Sequence, residues 1–182
     1  GADIVGLQEV LGRDPKGGKP DNGRKLAEML QWHYVAQEGS KAIMSRFEIG
    51  DLTPGKHGAE IRLPDGGVLH FFNVHLAAAP YQPYQLLGIP YKDAPFLKGA
   101  DALIAAADAA RGEELRVVLH QIAPLAAAGA WVILTGDFNE PSHLDWTDRA
   151  ARAGTVPLAV AYPASKAVAA AGLIDVYRRL YP

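Results

Sequence analysis

The sequence predicts an α/β fold in a single soluble domain, and three observations support this. Short apolar runs of strand length recur along the chain, one long stretch carries helical periodicity, and the composition is that of a globular protein. The chain has 182 residues, of which 49% are hydrophobic and 21% charged, which is enough for one domain with a core. The longest apolar stretches are too short to span a bilayer. There is no cysteine, which excludes disulfides but does not indicate the cellular compartment of the protein.

The elements are predicted from their local patterns. The strands are expected at 3–7, 32–36, 41–45, 47–52, 58–63 and 68–75, with helices at 22–31, 100–128 and 164–172. Ala59, Ile61 and Leu63 alternate with polar neighbours, as in a half-solvated strand. In the long helix, the apolar residues with spacing i, i+3, i+4 and i+7 are Leu115, Val118, Leu119 and Ile122. Gly112 is a candidate break in that helix, and residues 77–98, rich in proline and tyrosine, are predicted to form a long loop.

Residues 131–141 are the most informative stretch. Trp131 to Leu134 are apolar and partly β-branched, which predicts a strand that is buried on both faces and stops at Gly136. Asp137 and Asn139 follow at once, and an unpaired polar group inside a buried strand would cost about 1–3 kcal/mol. The two polar residues are therefore expected at the mouth of the strand, where open α/β sheets hold their ligands.

Other interpretations of this stretch are weaker. A P-loop enzyme also ends a buried strand in Asp, but no GxxxxGK[ST] motif occurs in the chain. The residues from Asp137 onward imitate the spacing of a calcium loop, yet Ser142 stands where the turn needs glycine and Asp148 stands at the glutamate position. The remaining alternative is a purely structural Asp–Asn turn that caps a helix beginning near Leu144.

Two further strands also end in polar residues. The first apolar strand is followed directly by Gln8 and Glu9. In the strand 68–75, alternation places Asn73 and His75 on the same face at its carboxyl end. Because polar residues follow the ends of three strands, we expect a functional site formed at one edge of a sheet.

Five segments in this order resemble the endonuclease/exonuclease/phosphatase superfamily, the deoxyribonuclease I-like fold. They are Asp3–Val10, Ala42–Ile49, Phe72–Leu76, Val132–Pro141 and Gly172–Arg178. The resemblance implies a four-layer sandwich, in which two stacked mixed β-sheets are flanked by helices. It also implies hydrolysis of a phosphoester with the help of a divalent metal ion.

The resemblance also implies roles for individual residues. Glu9 would be a ligand of Mg²⁺, with Mn²⁺ as an alternative, and Gln8 beside it would shape the site. Asp137 would orient and deprotonate the attacking water, Asn139 would hydrogen-bond a phosphoryl oxygen, and His75 would stabilise charge in the transition state. These three are the predicted catalytic residues.

The same residue types follow from the chemistry. A phosphodiester anion repels nucleophiles, so a cation that neutralises charge favours attack. Magnesium takes oxygen ligands, usually one or two carboxylates with several waters, which suits Glu9. A carboxylate can position water, and each donor aimed at developing negative charge is worth on the order of 3 kcal/mol.

The chain also departs from the family pattern. The early strand bearing an Asn and the closing Ser-Asp-His strand have no counterpart, and the chain opens without an initiator methionine. Residues 1–182 are therefore expected to be a single incomplete domain, and the isolated fragment is expected to be inactive or weakly active.

The charge of the chain indicates which class of substrate it can bind. The net charge is −2, and the basic residues that cluster after the first strand are Arg13, Lys16, Lys19, Arg24 and Lys25. So few cations favour a small or lipid-type phosphoester, with a nuclease and a catalytically inactive phosphoester-binding module as the alternatives. Tyr81, Tyr84 and His143, from loops following the site strands, are predicted to bind substrate together with Gln8 and Asn73. A monomer is expected, and the compartment is left open, secretion and the periplasm included.

Overall fold

The computed structural model describes residues 1–14 and 17–181, which form two compact units. The first comprises Gly1–His75 and Ala127–Asp137, and the second comprises Leu76–Ala126 and Phe138–Pro182. The fold is mixed α/β with two sheets, as the sequence predicts. Lys16, a member of the predicted basic cluster, lies outside the described residues.

A three-stranded sheet lies in the first unit. Its strands are β1 (Ile4–Leu7), β2 (His33–Gln37) and β3 (Lys41–Ser45), in the order β1–β3–β2. All its pairings are antiparallel, so this sheet is not mixed, in contrast to the prediction. The central strand β3 is buried along its whole length, because it has a neighbour on both sides.

The four-stranded sheet belongs to the same unit and is mixed. Its strands are β4 (Glu48–Leu52), β5 (Gly58–Arg62), β6 (Val68–His75) and β7 (Trp131–Asp137), in that order. The first three are antiparallel neighbours, and β7 joins parallel to β6. A short 3₁₀ turn, Pro54–Lys56, connects β4 to β5. Parallel pairing brings the carboxyl ends of β6 and β7 to the same edge.

The prediction that residues 131–134 are buried on both faces is wrong. Trp131 and Ile133 are 59% and 43% exposed, whereas Val132 and Leu134 are half-buried, so only one face is covered. Among the strands that the structure describes, β7 is the last in the order of its sheet and pairs only with β6. It also does not stop at Gly136, because the pairing with β6 continues through Asp137.

The two sheets pack face to face in the first unit. Their shared core is formed by Ile43 of β3, Ala59 and Ile61 of β5, and Leu69 and Phe71 of β6, all less than 9% exposed. Full burial of each large apolar side chain contributes about 1.5–3 kcal/mol relative to exposure. This core packs β6 against β3 and so fixes the position of β6 in the first unit.

The helix α1 (Asn22–Leu30) belongs to the first unit. Asp21 caps it, since its Oδ1 accepts a hydrogen bond from the Arg24 backbone N–H at 2.9 Å. The Tyr34 hydroxyl donates to the same carboxylate at 2.7–2.8 Å. Burial and this hydrogen bond raise the pKa of Tyr34. The buried residues Gly23 and Ala27 lie on the packed side of the helix.

The second unit is helical. Its helices are α2 (Gln82–Leu87), α3 (Ala100–Ala127), α4 (Asp148–Arg152), α5 (Pro163–Ala170) and α6 (Val176–Leu180). Leu115, Val118 and Ile122 are buried, which confirms the predicted stripe of α3. Its core also contains Leu103, Ala107, Val160 and Tyr162. Within the described ranges, none of the helices combines the length and the hydropathy that a membrane span requires.

Three local predictions fail in this unit. The predicted loop 77–98 contains α2, because Pro83 in the first helical turn is compatible with a helix start. Gly112 does not interrupt α3, since packing outweighs its low helix propensity. No helix begins near Leu144; α4 begins after Thr147, whose hydroxyl accepts a hydrogen bond from the Ala150 N–H.

Candidate active site

His75 and Asp137 lie side by side at the carboxyl ends of β6 and β7. They are register partners in the parallel pair, and His75 Nε2 lies 3.8 Å from Asp137 Oδ2. The His75 side chain is 18% exposed and that of Asp137 is 52% exposed, so a solvent-accessible carboxylate stands next to a partly covered imidazole. This pair combines a group that can orient water with a group that can donate to an anion.

Gly136 makes this arrangement possible. Its φ is +148°, and a Cβ at this position would lie 2.2 Å from the carbonyl oxygen of Val74 on β6. Only glycine therefore permits the close approach of the two backbones directly before Asp137. The glycine in the Thr-Gly-Asp run continues the strand rather than ending it.

Asn73 is fully buried beneath the pair. Its Nδ2 donates to Gln37 Oε1 at 2.9 Å, to the Leu7 carbonyl at 3.0 Å and to the Ala42 carbonyl at 3.2 Å. These bonds join β6 to the three strands of the other sheet in the same unit. Since its side chain has no exposed surface, its burial favours a positioning role over direct contact with a substrate.

The oxygen of the same amide connects to Gln8. Asn73 Oδ1 accepts from Gln8 Nε2 at 2.6 Å and from Thr135 Oγ1 at 3.3 Å, and Thr135 is its register partner on β7. Gly6 on β1 leaves room for this junction, because a Cβ there would lie 2.4 Å from both oxygens. A buried and satisfied polar network specifies one arrangement of the strand ends. Gln8 is thereby held next to Glu9.

Glu9 is exposed and turns the chain after β1. Its φ is +55°, a left-handed conformation that costs a non-glycine residue about 1–3 kcal/mol. Ser40 accepts hydrogen bonds from the next two backbone N–H groups. The Ser40 carbonyl accepts from the Val10 N–H at 3.0 Å, and the Ser40 hydroxyl accepts from the Leu11 N–H at 2.9 Å. Strain held by neighbouring contacts is typical of functional turns.

A magnesium ion needs few protein ligands. Among the described residues there is no group of three or more His, Asp or Glu side chains that could enclose a metal ion. Mg²⁺ commonly takes one or two carboxylates, keeps several waters and uses substrate phosphate oxygens. A single exposed carboxylate at Glu9 fits such an open site, whereas it would not fit a closed zinc or calcium cage.

Asn139 and the predicted substrate-binding tyrosines lie in the second unit. Asn139 adopts φ +47°, and its Nδ2 donates to the Leu76 carbonyl at 2.9 Å. Tyr81 and Tyr84 pack edge to face with ring centroids 4.9 Å apart, and Tyr91 continues the row at 5.8 Å. Tyr84 is 38% exposed, so this aromatic row has a surface that a ligand could contact.

His143 is held by Ser165 on α5. The Ser165 hydroxyl oxygen accepts from the His143 backbone N–H at 2.8 Å and lies 2.9 Å from Nδ1. The roles assigned to His143, Asn139 and the two tyrosines stay predictions.

A buried pair in the second unit was not predicted from the sequence. The Arg111 and Glu140 side chains are each 1% exposed, and Arg111 Nη1 lies 3.9 Å from Glu140 Oε2. Burial raises the pKa of Glu140, and the Ala164 N–H and Arg111 oppose this rise. The sequence does contain a signal for this pair. Arg111 lies four residues from both Ala107 and Leu115, on the apolar stripe of α3, and a cation buried there needs a charged partner.

Comparisons with known proteins provide little further information. No protein-family model matches the chain, and no solved structure matches it significantly. The chain is 27% identical over 197 aligned residues to the uncharacterized protein F14F9.5 of Caenorhabditis elegans. The match covers 99% of this chain and 57% of that protein, so the chain spans little more than half the length of the curated relative.

Proposed function

We propose that this chain belongs to a magnesium-dependent phosphoester hydrolase with a deoxyribonuclease I-like sandwich. The observation that carries the proposal is the in-register pairing of His75 with Asp137 at the shared carboxyl end of β6 and β7. Two stacked sheets in the same unit and the Asn73 network beneath the pair support it. The order of the sequence motifs supports the family assignment.

Asp137 orients the nucleophile in this mechanism. Its half-exposed carboxylate accepts a hydrogen bond from water and takes the proton as the water oxygen bonds to phosphorus. The bond from phosphorus to the leaving oxygen breaks in the same step, and this oxygen then takes a proton from solvent. A general base of this kind contributes typically 10²- to 10⁴-fold to the rate. Gly136 allows the close approach of β7 to β6 that places this carboxylate beside His75.

His75 and Glu9 stabilise the negative charge of the phosphoester. His75, through its Nε2 next to Asp137, donates to a phosphoryl oxygen as negative charge develops there. Glu9 would hold Mg²⁺, which when bound neutralises phosphate charge and polarises the phosphoryl group. Gln8, held by Asn73, keeps the neighbouring carboxylate in place.

A small or lipid-type phosphoester is the proposed substrate class. The chain carries a net charge of −2, and a polynucleotide binder depends on many phosphate contacts by Lys and Arg.

A substrate panel with one variant tests the proposal. The panel contains an aryl phosphodiester, sphingomyelin, an inositol phosphate, and single-stranded and duplex DNA, each with and without Mg²⁺. Asp137→Asn should lower kcat by at least about 10²-fold because the general base is lost. Its melting temperature should hardly change, because a half-exposed surface substitution typically alters stability by at most about 0.5 kcal/mol.

The matched control is Asp51→Asn, an exposed aspartate on β4 of the same sheet. It should leave kcat unchanged. Equal activity of both variants and wild type would remove Asp137 from the mechanism, and turnover of duplex DNA above all small substrates would favour the nuclease. Retained phosphoester binding without any hydrolysis, in the full-length protein as well as in these 182 residues, would favour the inactive binding module.

A further inference from the structure

Arg111 and Glu140 are buried charges that the proposed chemistry does not use. Both side chains are 1% exposed, with Arg111 on α3 and Glu140 in the turn directly after Asn139. Removing two charges from water is unfavourable unless hydrogen bonds and geometry compensate, and apolar replacements are often as stable. The hydrogen bonds that each of the two side chains makes therefore show what the pair holds in place.

Arg111 holds the segment that follows Leu76. Its Nη1 donates to Gln82 Oε1 at 2.7 Å, and its Nη2 donates to the Pro80 carbonyl at 2.6 Å. Gln82 is itself fully buried and begins α2. The planar guanidinium thereby fixes both the path of the chain after Leu76 and the start of α2.

Glu140 holds the segment that contains Asn139. Its Oε1 accepts from the Ala164 N–H at 2.7 Å, in the first turn of α5, where backbone N–H groups lack intrahelical partners. A carboxylate at this end of a helix is favourable. Glu140 is thus attached to α5 on one side and to Arg111 on the other.

Asn139 lies between these attachments. Its left-handed backbone conformation at φ +47° is unfavourable for a non-glycine residue and persists only where neighbouring contacts hold it. Its amide donates to the Leu76 carbonyl, so the two segments that Arg111 and Glu140 hold are also joined through Asn139 itself.

We propose that Arg111 and Glu140 form a positioning pair that holds Asn139 in its left-handed conformation for contact with a phosphoryl oxygen. The catalytic part of this statement rests on the proposed function, whereas the structural part does not. Neither residue touches the substrate; both act through Asn139 and the segment 76–82.

Hydrogen exchange of the 182-residue chain measures the structural part. Arg111→Met and Glu140→Gln should raise exchange at least tenfold in peptides covering 76–82 and 138–142, while the strands of the first unit keep wild-type rates. The control is Arg116→Met on the same helix, because Arg116 pairs with Asp108 at 3.0 Å with both side chains exposed. If Arg111→Met does not fold, Arg111→Lys replaces it, and the same peptides are compared.

Kinetics separates positioning from stabilisation. The double variant Arg111→Met/Glu140→Met leaves no unpaired buried charge, so its melting temperature should lie above that of either single variant, although the partners of both side chains lose their hydrogen bonds. Its kcat should nevertheless stay at least tenfold below wild type with KM within twofold, because Asn139 is no longer held. Recovery of both kcat and melting temperature would overturn the proposal.

The exchange data also decide the case in which wild type hydrolyses nothing. Rapid exchange at 138–142 in Arg111→Met would then retain the positioning pair and reject only the proposed function. Exchange in these peptides equal to that of Arg116→Met would overturn the pair, whatever the activity.

Discussion

Asn73→Ala tests the network beneath the candidate site. The substitution removes three hydrogen bonds from Nδ2 and leaves their acceptors behind, and those to Gln37 and Ala42 are fully buried. An unsatisfied buried acceptor costs about 1–3 kcal/mol. With about 1.5 kcal/mol for each of the two buried bonds, and less for the partly exposed partners Leu7 and Gln8, the free energy of unfolding should fall by roughly 3–4 kcal/mol.

Urea unfolding followed by tryptophan fluorescence measures this loss. With a slope of about 2 kcal/mol per molar urea, the midpoint should fall by about 1.5–2 M. Circular dichroism on the same samples checks that there is one transition. The expected slope is that of wild type, since the unfolded chain exposes the same surface.

Thr135→Val is the matched control in the same network. Thr135 Oγ1 makes only long contacts, 3.3 Å to the Phe72 carbonyl and 3.3 Å to Asn73 Oδ1, so the loss should stay below about 1 kcal/mol. A cost for Asn73→Ala as small as that for Thr135→Val would refute the reasoning, because the amide would then not be the junction of the strand ends.

Three further predictions concern neighbouring positions. Gly136→Ala should destabilise by at least about 2 kcal/mol in thermal unfolding, because its Cβ would lie 2.2 Å from the Val74 oxygen; a loss under about 1 kcal/mol would contradict the close approach. Glu9→Gln should raise the Mg²⁺ concentration for half-maximal activity without changing melting temperature, and wild-type activity that survives chelation would end the metal assignment. The Glu140 carboxyl faces Arg111, Asp108 and Tyr162, and its pKa is raised in the folded protein. The contribution of Glu140 to folding stability is therefore fully present below the unfolded pKa of about 4.3 and is lost as the pH rises through the folded pKa. Glu140→Gln should therefore gain stability relative to wild type as pH rises in urea titrations, and a difference that does not depend on pH would argue against the buried carboxyl.

Local patterns were sufficient for most strands. The observed bounds of β3, Lys41–Ser45, and β6, Val68–His75, are those predicted, since apolar alternation and flanking turns are encoded within the segment itself. Alternation also placed Asn73 and His75 at one strand end. It did not reveal that Asn73 is sealed from solvent, because its hydrogen-bond partners lie 31 to 66 residues away.

The errors have tertiary causes. Trp131 and Ile133 are apolar, yet whether a strand is central or at an edge depends on its neighbours, and β7 has only β6. The helix α2 depends on the buried contact of Gln82 with Arg111, which no local pattern contains. Propensity is a weak guide where such contacts decide.

By itself the sequence determined the α/β class, the order of strands and helices, and the polar residues at three strand ends, because periodicity and turn chemistry act over a few residues. Only the tertiary structure decided which of those residues stand together. The parallel register of β6 and β7 places His75 against Asp137, and burial converts Arg111 and Glu140 from ordinary charged residues into a pair. The physical reason is that register and burial are properties of chain segments brought together from far apart in sequence.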